Sequence, residues 1–235
     1  MSKIKKFLAL SLSISMLSFG SITSFAAPSL VSVQTDFSDP TIPVCVPLLS
    51  YSGTGDSVIQ NVALPEGFAY KVSFTHDGKR NFIVHFLNGD EKDLLANKIG
   101  EYAGTALLED GSTSARNGIL QIKADGNWTI TISTITNVTS RSMYGTGDKV
   151  TGQFVLTNKN NIVTLNNVGD SNFIVYARFS DGDRELLANE IGTYSGQVIL
   201  KNKPGCTCYL EIRSCGQWSI DLGYGEGATP VADIN

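Results

Sequence analysis

The sequence predicts an all-β fold made of two tandem antiparallel β-sandwich domains, jelly-roll-like and related by internal duplication. The first observation is a repeat: NFIVHFLNGDEKDLLANKIGEYAG at 81–104 returns as NFIVYARFSDGDRELLANEIGTYSG at 172–196, with one residue inserted. The second is spacing, since Trp128 and Trp218 lie 90 residues apart, which is the length of a domain rather than of a solenoid repeat. The third is alternation of apolar and polar residues between glycine-rich turns.

The first unit is strand-like throughout. Phe68, Tyr70, Val72 and Phe74 alternate with polar or small residues, and Asp77-Gly78 then predicts a turn into 81–88, so these two strands are expected to form a hairpin. Strands are also predicted at 102–108, 120–124 and 128–132. The segment 94–98 fits one helical turn or a short strand equally well.

The second unit repeats this plan. Its strands are predicted at the ranges 150–156, 162–166, 172–179, 197–200, 208–212 and 218–222. About 80 to 90 residues in each unit are enough to bury one modest core.

The N-terminus predicts export. Lys3, Lys5 and Lys6 precede an apolar run at 7–22, and Ser24-Phe25-Ala26 supplies small residues for cleavage after Ala26. The alternative is an uncleaved anchor, although the run is short and serine-rich for a span of roughly 20 residues. No second apolar span follows, so we expect a secreted, extracellular protein with no membrane span after cleavage.

These signals divide the chain into six segments. Four prolines mark an extended lead-in that ends in apolar residues suited to an edge strand. The predicted boundaries are 1–26 for the signal peptide, 27–50 for the lead-in, 51–133 and 144–224 for the two β-sandwich repeats, 134–143 for a linker and 225–235 for a flexible tail.

Composition excludes some partners. The chain has 235 residues, of which 17% are charged, and a formal net charge of -4. Nucleic acid and anionic membrane surfaces both require a basic face, so neither is expected.

The first unit also resembles a known kind of repeat. The strings SGTGDSV, FTHDGKRNFIV, DLLANKIGEYAGT and ADGNWTI match a pattern, SGTGDxV…FTHDGxxNFxV…DLLxNxIGxYxGT…ADGxWxI, that is similar to repeats of exported and lipoprotein-type proteins of Gram-positive bacteria. The second unit departs from it, with LNNVG in place of FTHDG. The resemblance implies export and a β-sandwich module, and it implies no catalytic residues.

The histidines are weak candidates for a ligand site. His76 and His85 are the only two in the chain, and histidine is a common base and metal ligand. They align with Asn167 and Tyr176, so the second unit lacks both. A turn residue and a partly exposed strand residue are the simpler interpretation.

Acidic residues in a turn suggest a calcium site. Asp181, Asp183 and Glu185 form a short acidic segment with Gly182, and hard oxygen ligands of this kind suit Ca²⁺. The EF-hand loop pattern is absent, and solvated turns are the more common role of such residues. No other cofactor is expected.

Tyrosines are the candidates for contact with a sugar ring. Tyr102 and Tyr194 are retained in both units and fit either a core position or a stacking platform. Tyr51 and Tyr144, at the entries to the units, are predicted to be exposed. Trp128 and Trp218 share strand parity with inward isoleucines and are predicted to anchor the cores.

Four cysteines lie beyond the signal, in a compartment where disulfides persist. Cys206 and Cys208 share a strand face, while Cys215 lies in the following turn. Seven extended residues span roughly 23 Å, which is too far for a Cys208–Cys215 bridge. Cys45 is therefore the expected partner for one of the three.

No motif for catalysis is present, so we expect a non-enzymatic binding protein. The leading expectation is a glycan or cell-wall polymer as the ligand. The alternatives are a structural or assembly protein that binds a surface protein, and an enzyme with a site between the two units. Exposed aromatic residues on one sheet face favour the first, and an uncovered edge strand favours the second.

Overall fold

The structure is a computed structural model that describes residues 47–67, 69–109, 116–138 and 140–223. The described residues form strands joined by turns and bends, with no helix among them. The predicted signal peptide, most of the predicted lead-in, Cys45 and the predicted tail lie outside the described residues. Within the described ranges, no helix has the length and apolar character that a membrane span requires.

Sixteen strands fall into two groups of eight, which we call module 1 (47–134) and module 2 (142–222). Module 1 contains β1 (Pro47–Thr54), β2 (Ser57–Leu64), β3 (Ala69–His76), β4 (Asn81–Asn88), β5 (Glu91–Ile99), β6 (Tyr102–Glu109), β7 (Arg116–Lys123) and β8 (Asn127–Thr134). Module 2 contains β9 (Ser142–Thr146), β10 (Lys149–Val150), β11 (Asn160–Val168), β12 (Asn172–Phe179), β13 (Arg184–Ile191), β14 (Tyr194–Lys201), β15 (Cys208–Arg213) and β16 (Gln217–Leu222).

Each module is a sandwich of two four-stranded antiparallel sheets. Module 1 has the strand orders β1-β8-β3-β6 and β2-β7-β4-β5, and module 2 has β9-β16-β11-β14 and β10-β15-β12-β13. We name each sheet by its first strand. The order is identical in the two modules once strands are numbered from the start of each, and eight strands wound in this way make a jelly roll. The predicted fold class is therefore confirmed.

One predicted hairpin is wrong. β3 pairs with β6 and β8, whereas β4 pairs with β5 and β7, so the two strands lie in opposite sheets. Phe74 and Phe82 both point into the core, where their ring centroids are 6.1 Å apart. Burying both apolar faces against each other stabilises this arrangement more than pairing the strands side by side. The Asp77-Gly78 turn thus carries the chain across the core.

The structure also decides three smaller expectations. The segment 94–98 is strand, because β5 runs through it. The strand predicted at 150–156 is reduced to β10, beyond which Phe154 makes one antiparallel bridge to Cys208. β1 already begins at Pro47, inside the predicted lead-in, and forms an edge of its sheet as the apolar residues there suggested.

Each module has its own core, anchored by one tryptophan as predicted. Trp128 and Trp218 are only 2% and 5% exposed. Their indole N–H groups donate to the carbonyls of Gly55 and Gly147, both at 2.9 Å. A Cβ at Gly53 would overlap the Trp128 ring, so glycine is required where β1 crosses the indole. The two modules thus repeat the same packing solution.

Candidate functional site

The polar residues retained in both units hold loops. Asp56 Oδ1 accepts a hydrogen bond from the Ala124 N–H at 2.9 Å, and Asp148 Oδ1 accepts one from the Ser214 N–H at 3.1 Å. Ala124 and Ser214 occupy equivalent positions after β7 and β15. Side chains that satisfy backbone groups in this way fix turns.

His76 also has a structural counterpart. Its Nδ1 lies 2.9 Å from the carbonyl oxygen of Gly100, while Asn167 Nδ2 donates to the equivalent carbonyl of Gly192 at 2.8 Å. The His76 ring is buried and stacks on Phe82 with centroids 4.7 Å apart. The position therefore requires a side-chain N–H donor, which histidine and asparagine both supply.

The two histidines are not brought together into one site. His85 lies on β4, in the opposite sheet from His76, and points to the outside of the β2 sheet. Partial burial, and next the charge of Lys92, lower the pKa of His85 below its usual value. Val58, Leu94 and Ile119 on this same outer face are exposed, but Gln121 is paired directly with His85, so the surface around His85 is mixed in polarity.

Neither Tyr102 nor Tyr194 offers a flat open ring. Both are half-buried against the cores, and Tyr194 packs 6.0 Å from Phe173. The Tyr102 hydroxyl donates to Asp148 Oδ2 at 3.1 Å. Burial, and then the neighbouring Asp148 charge, raise the pKa of Tyr102 far above its usual value. The structure thus places both tyrosines in packing positions.

Tyr102 belongs to a joint between the modules. Lys98 Nζ lies 2.7 Å from Asp148 Oδ2, next to the tyrosine hydroxyl. Main-chain groups add to it: the Thr105 N–H donates to the Asp148 carbonyl at 3.0 Å, and the Val150 N–H donates to Thr105 Oγ1 at 2.6 Å. Asp148 is buried in this joint, and the β5–β6 side of module 1 thus binds the segment between β9 and β10.

The acidic turn predicted to bind calcium is paired with a lysine. Lys203 Nζ lies 2.9 Å from Asp181 Oδ2 and also bonds Asp183. Hydrogen bonding to Lys203 is the main cause that lowers the pKa of Asp181. The described residues contain no group of three or more acidic, histidine or cysteine side chains placed to hold a metal ion. An ammonium group therefore takes the position between these two carboxylates.

The three described cysteines are free. Cys208 is buried, Cys206 is half-buried and Cys215 is exposed. Burial is the main cause that raises the pKa of the Cys208 thiol, to about 12. Cys208 and Cys215 do not pair with each other, in line with their predicted separation. The proposed bridge to Cys45 stays a prediction.

The two entry tyrosines face opposite sides of their sheets. Tyr51 is opposite Ile130 and is buried, so its predicted exposure is wrong, whereas Tyr144 is opposite Ser219 and is 86% exposed. Aligning the glycines that cross each tryptophan shows why: Tyr144 corresponds to Ser52, and Tyr51 to Met143. A shift of one residue along a strand reverses the face.

Tyr144 stands at one side of a polar surface on the β9 sheet. The row beside it is Ser219, Asn166 and Ser195, in which Ser195 Oγ donates to Asn166 Oδ1 at 2.8 Å. The next row runs from Ser142 through Asp221 and Thr164 to Gln197. In that row, Ser142 Oγ donates to Asp221 Oδ2 at 2.6 Å and Gln197 Nε2 to Thr164 Oγ1 at 3.1 Å. We call these residues, with Tyr144, the polar face.

Sequence reasoning missed the polar face although the signal was present. Outward positions of β11, β14 and β16 alternate regularly with core residues, and most carry an amide, hydroxyl or carboxylate. The missing element was the strand order, which places β9, β16, β11 and β14 side by side. Without it, these side chains are scattered over 80 residues.

Comparison with known proteins gives no family assignment. No family model matches the chain, and the search of curated proteins finds no match either. The resemblance to exported Gram-positive repeats therefore stays a prediction, and function has to be argued from the surface alone.

Proposed function

We propose that the protein is an exported, non-catalytic binding protein whose polar face takes a glycan or cell-envelope polymer. The observation that carries this proposal is Tyr144, whose ring is 86% exposed beside two rows of hydrogen-bonding side chains. Burying a ring of this size away from water requires a partner with an apolar surface.

A sugar ring matches this combination of groups. One side of a pyranose is apolar and can cover the Tyr144 ring, while its hydroxyls are both donors and acceptors. Asn166, Asp221 and Gln197 offer the matching donors and acceptors at the level of the sheet. A flat sheet face is also a rigid support, so little conformational entropy is lost when a ligand binds.

The test is binding of residues 27–235 to purified cell wall and to a soluble glycan panel. We expect saturable binding that Tyr144→Ala weakens by about tenfold or more, the size of change that an aromatic hot-spot residue produces. Ile99→Ala is the matched control, because Ile99 is an equally exposed apolar residue on module 1. Equal binding by the wild type and the Tyr144 variant would contradict the proposal, as would no binding to any glycan.

Calcium provides a second arm of the same experiment. Because Lys203 bonds both Asp181 and Asp183, we propose that binding does not depend on Ca²⁺. Adding a chelator should leave the affinity unchanged. A loss of binding that calcium restores would revive the acidic turn as a metal site.

Association with a protein is the second candidate function. It is favoured by Val58, Leu94 and Ile119, which are exposed on the outer face of the β2 sheet, where His85 and Gln121 also lie. Exposed apolar clusters of this kind are a feature of protein contact sites. Leu94→Ser should abolish such an association and leave glycan binding unchanged, whereas Tyr144→Ala should do the reverse.

A further inference from the structure

The joint between the modules is made of two parts, and each part occurs twice in the chain. The first part, which we call the inserted loop, is the loop after β9 that carries Asp148; its counterpart after β1 carries Asp56, which is exposed. The second part, which we call the docking side, is the β5–β6 side of module 1. Its counterpart is the β13–β14 side of module 2, where Glu190 and Gln197 are exposed.

The exposed docking side of module 2, β13–β14, has the backbone geometry of the occupied docking side of module 1, β5–β6. Tyr102 is paired with His76 and Thr105 with Ser73, while Tyr194 is paired with Asn167 and Gln197 with Thr164. Because this register is shared, the Gln197 N–H points away from β11 as the Thr105 N–H points away from β3. It can thus donate to a docking segment as Thr105 donates to the Asp148 carbonyl.

β14 is also an edge strand with apolar surface to bury. It is the last strand in its sheet, and Ile199 on it is 57% exposed. Exposed strand edges are sites where extended segments of other chains add by main-chain hydrogen bonds. The equivalent edge of module 1, β6, already receives such a segment within this chain.

The docking sides of the two modules differ in charge. Glu190 stands where module 1 has Lys98, whose ammonium pairs with Asp148. A second copy of this chain would bring Asp56 to Glu190, and two carboxylates at ion-pair distance repel each other. Lys123 stands where module 2 has Arg213, but Ser57 stands where module 2 has Lys149. The loop that carries Asp56 is therefore less basic than the loop that carries Asp148, and the charge of Lys98 is reversed at Glu190.

We propose that the β13–β14 side of module 2 is a docking site for a further β-sandwich module, carried by another protein, whose loop has Lys or Arg in place of Asp148. Glu190 selects this partner by charge and excludes the chain's own module 1. Without that exclusion, identical copies would dock head to tail, because a heterologous interface generates a ring if its rotation closes and an open filament if it does not.

The first test is Glu190→Lys, read by light scattering on the full exported chain over a range of concentrations. The wild type is expected to stay monomeric, and the variant is expected to at least double its apparent mass through Asp56 of the next copy. Salt should weaken this association, since a charge pair at an exposed edge is screened. Adding Asp56→Lys to the variant should restore the monomer.

The second test uses that double variant, D56K/E190K, as the probe for the wild-type surface. In each protein alone, positions 56 and 190 carry charges of the same sign, so each should be monomeric. Mixed, the Lys-bearing loop of the probe meets Glu190 of the wild type, and the mixture should associate. A wild type with Ile99→Ala should associate equally well, and one with Tyr194→Ala should do so more weakly.

Three results would overturn the proposal. The first is a monomeric Glu190→Lys variant together with a monomeric mixture, which would show that this side of module 2 is not a docking site. The second is self-association of the wild type that Asp56→Ala abolishes, which would show that Glu190 does not exclude identical copies. The third is association of the double variant alone.

Circular dichroism and unfolding curves establish that each variant is folded. Glu190 is exposed, so its replacement leaves the core intact.

Discussion

At the scale of single residues, the position of His76 is defined by the hydrogen bond that its side chain makes. Replacing His76 with Asn should preserve most of the stability, because Asn167 makes the equivalent bond in module 2. Replacing it with Ala leaves the partly buried Gly100 carbonyl without this donor and removes the ring that stacks on Phe82. We expect the alanine variant to lose about 1–3 kcal/mol of unfolding free energy.

Urea unfolding of the two variants is the measurement. Equal losses for asparagine and alanine would show that the ring itself, rather than its N–H donor, stabilises module 1. A change in glycan binding with either variant would contradict the placement of ligand on module 2.

Sequence reasoning at this scale worked where an apolar pattern set the face of a residue. The tryptophans were placed in the cores because they share parity with Ile130 and Ile220 on their strands. It failed for Tyr51 because both tyrosines were treated alike as entry residues, although Tyr51 lies one residue further than Tyr144 from the shared Gly-Thr-Gly-Asp string. That string gives the register in which Gly53 and Gly145 are equivalent, and in the folded chain each of these glycines lies against an indole.

At the scale of elements, the crossing from β3 to β4 is held by the turn between β7 and β8. Asp125 accepts hydrogen bonds from the N–H groups of Lys79 and Arg80, at 3.1 and 3.0 Å. These bonds are the main cause that lowers the pKa of Asp125 below its ordinary value. In module 2 the same position is Cys215, so only module 1 has this carboxylate link.

A lowered folded-state pKa means that the carboxylate stabilises the protein above its ordinary pKa, and that this stability is lost as the pH falls through the folded-state value. We therefore expect Asp125→Ala to lower the urea midpoint at pH 7 and to lower it less at an acidic pH, because the difference from wild type shrinks as the pH falls through the folded-state pKa. Asp93→Ala, on the exposed part of β5, is the control and should change little at either pH. A difference that is constant with pH would show that the carboxylate charge is not involved.

The same crossing shows what sequence pattern cannot decide. Alternation gives strands and their inward faces: both β3 and β4 were predicted as strands, and the inward face of β3 was predicted correctly. It does not give the neighbours, because a short Asp-Gly turn serves a hairpin and a crossing equally well. Here the decision comes from Phe74 and Phe82, which can face each other only from opposite sheets.

At the scale of the whole molecule, the two copies of one fold have become complementary through differences at particular positions. Asp148 and Asp56 make the same bond within their own modules, but only Asp148 also meets Lys98 and Tyr102 across the joint. The chain thus contains a matched pair of carboxylates, one inside the interface and one outside it. The sequence showed the repeat of both residues but could not show which one would be buried.

Replacing each aspartate with Ala separates the joint from the loop. We expect Asp148→Ala to cost about 1.5–3 kcal/mol, because bonds to a buried charged group are lost, and Asp56→Ala to cost about 1 kcal/mol or less. Asp148→Ala should also let the modules move independently, seen as a larger radius of gyration by X-ray scattering and as faster cleavage in the segment 135–141. Asp56→Ala should leave both unchanged. If the two variants lose equal stability and keep the wild-type radius of gyration, the modules are not coupled through Asp148. The joint would then give no support for docking at the β13–β14 side of module 2.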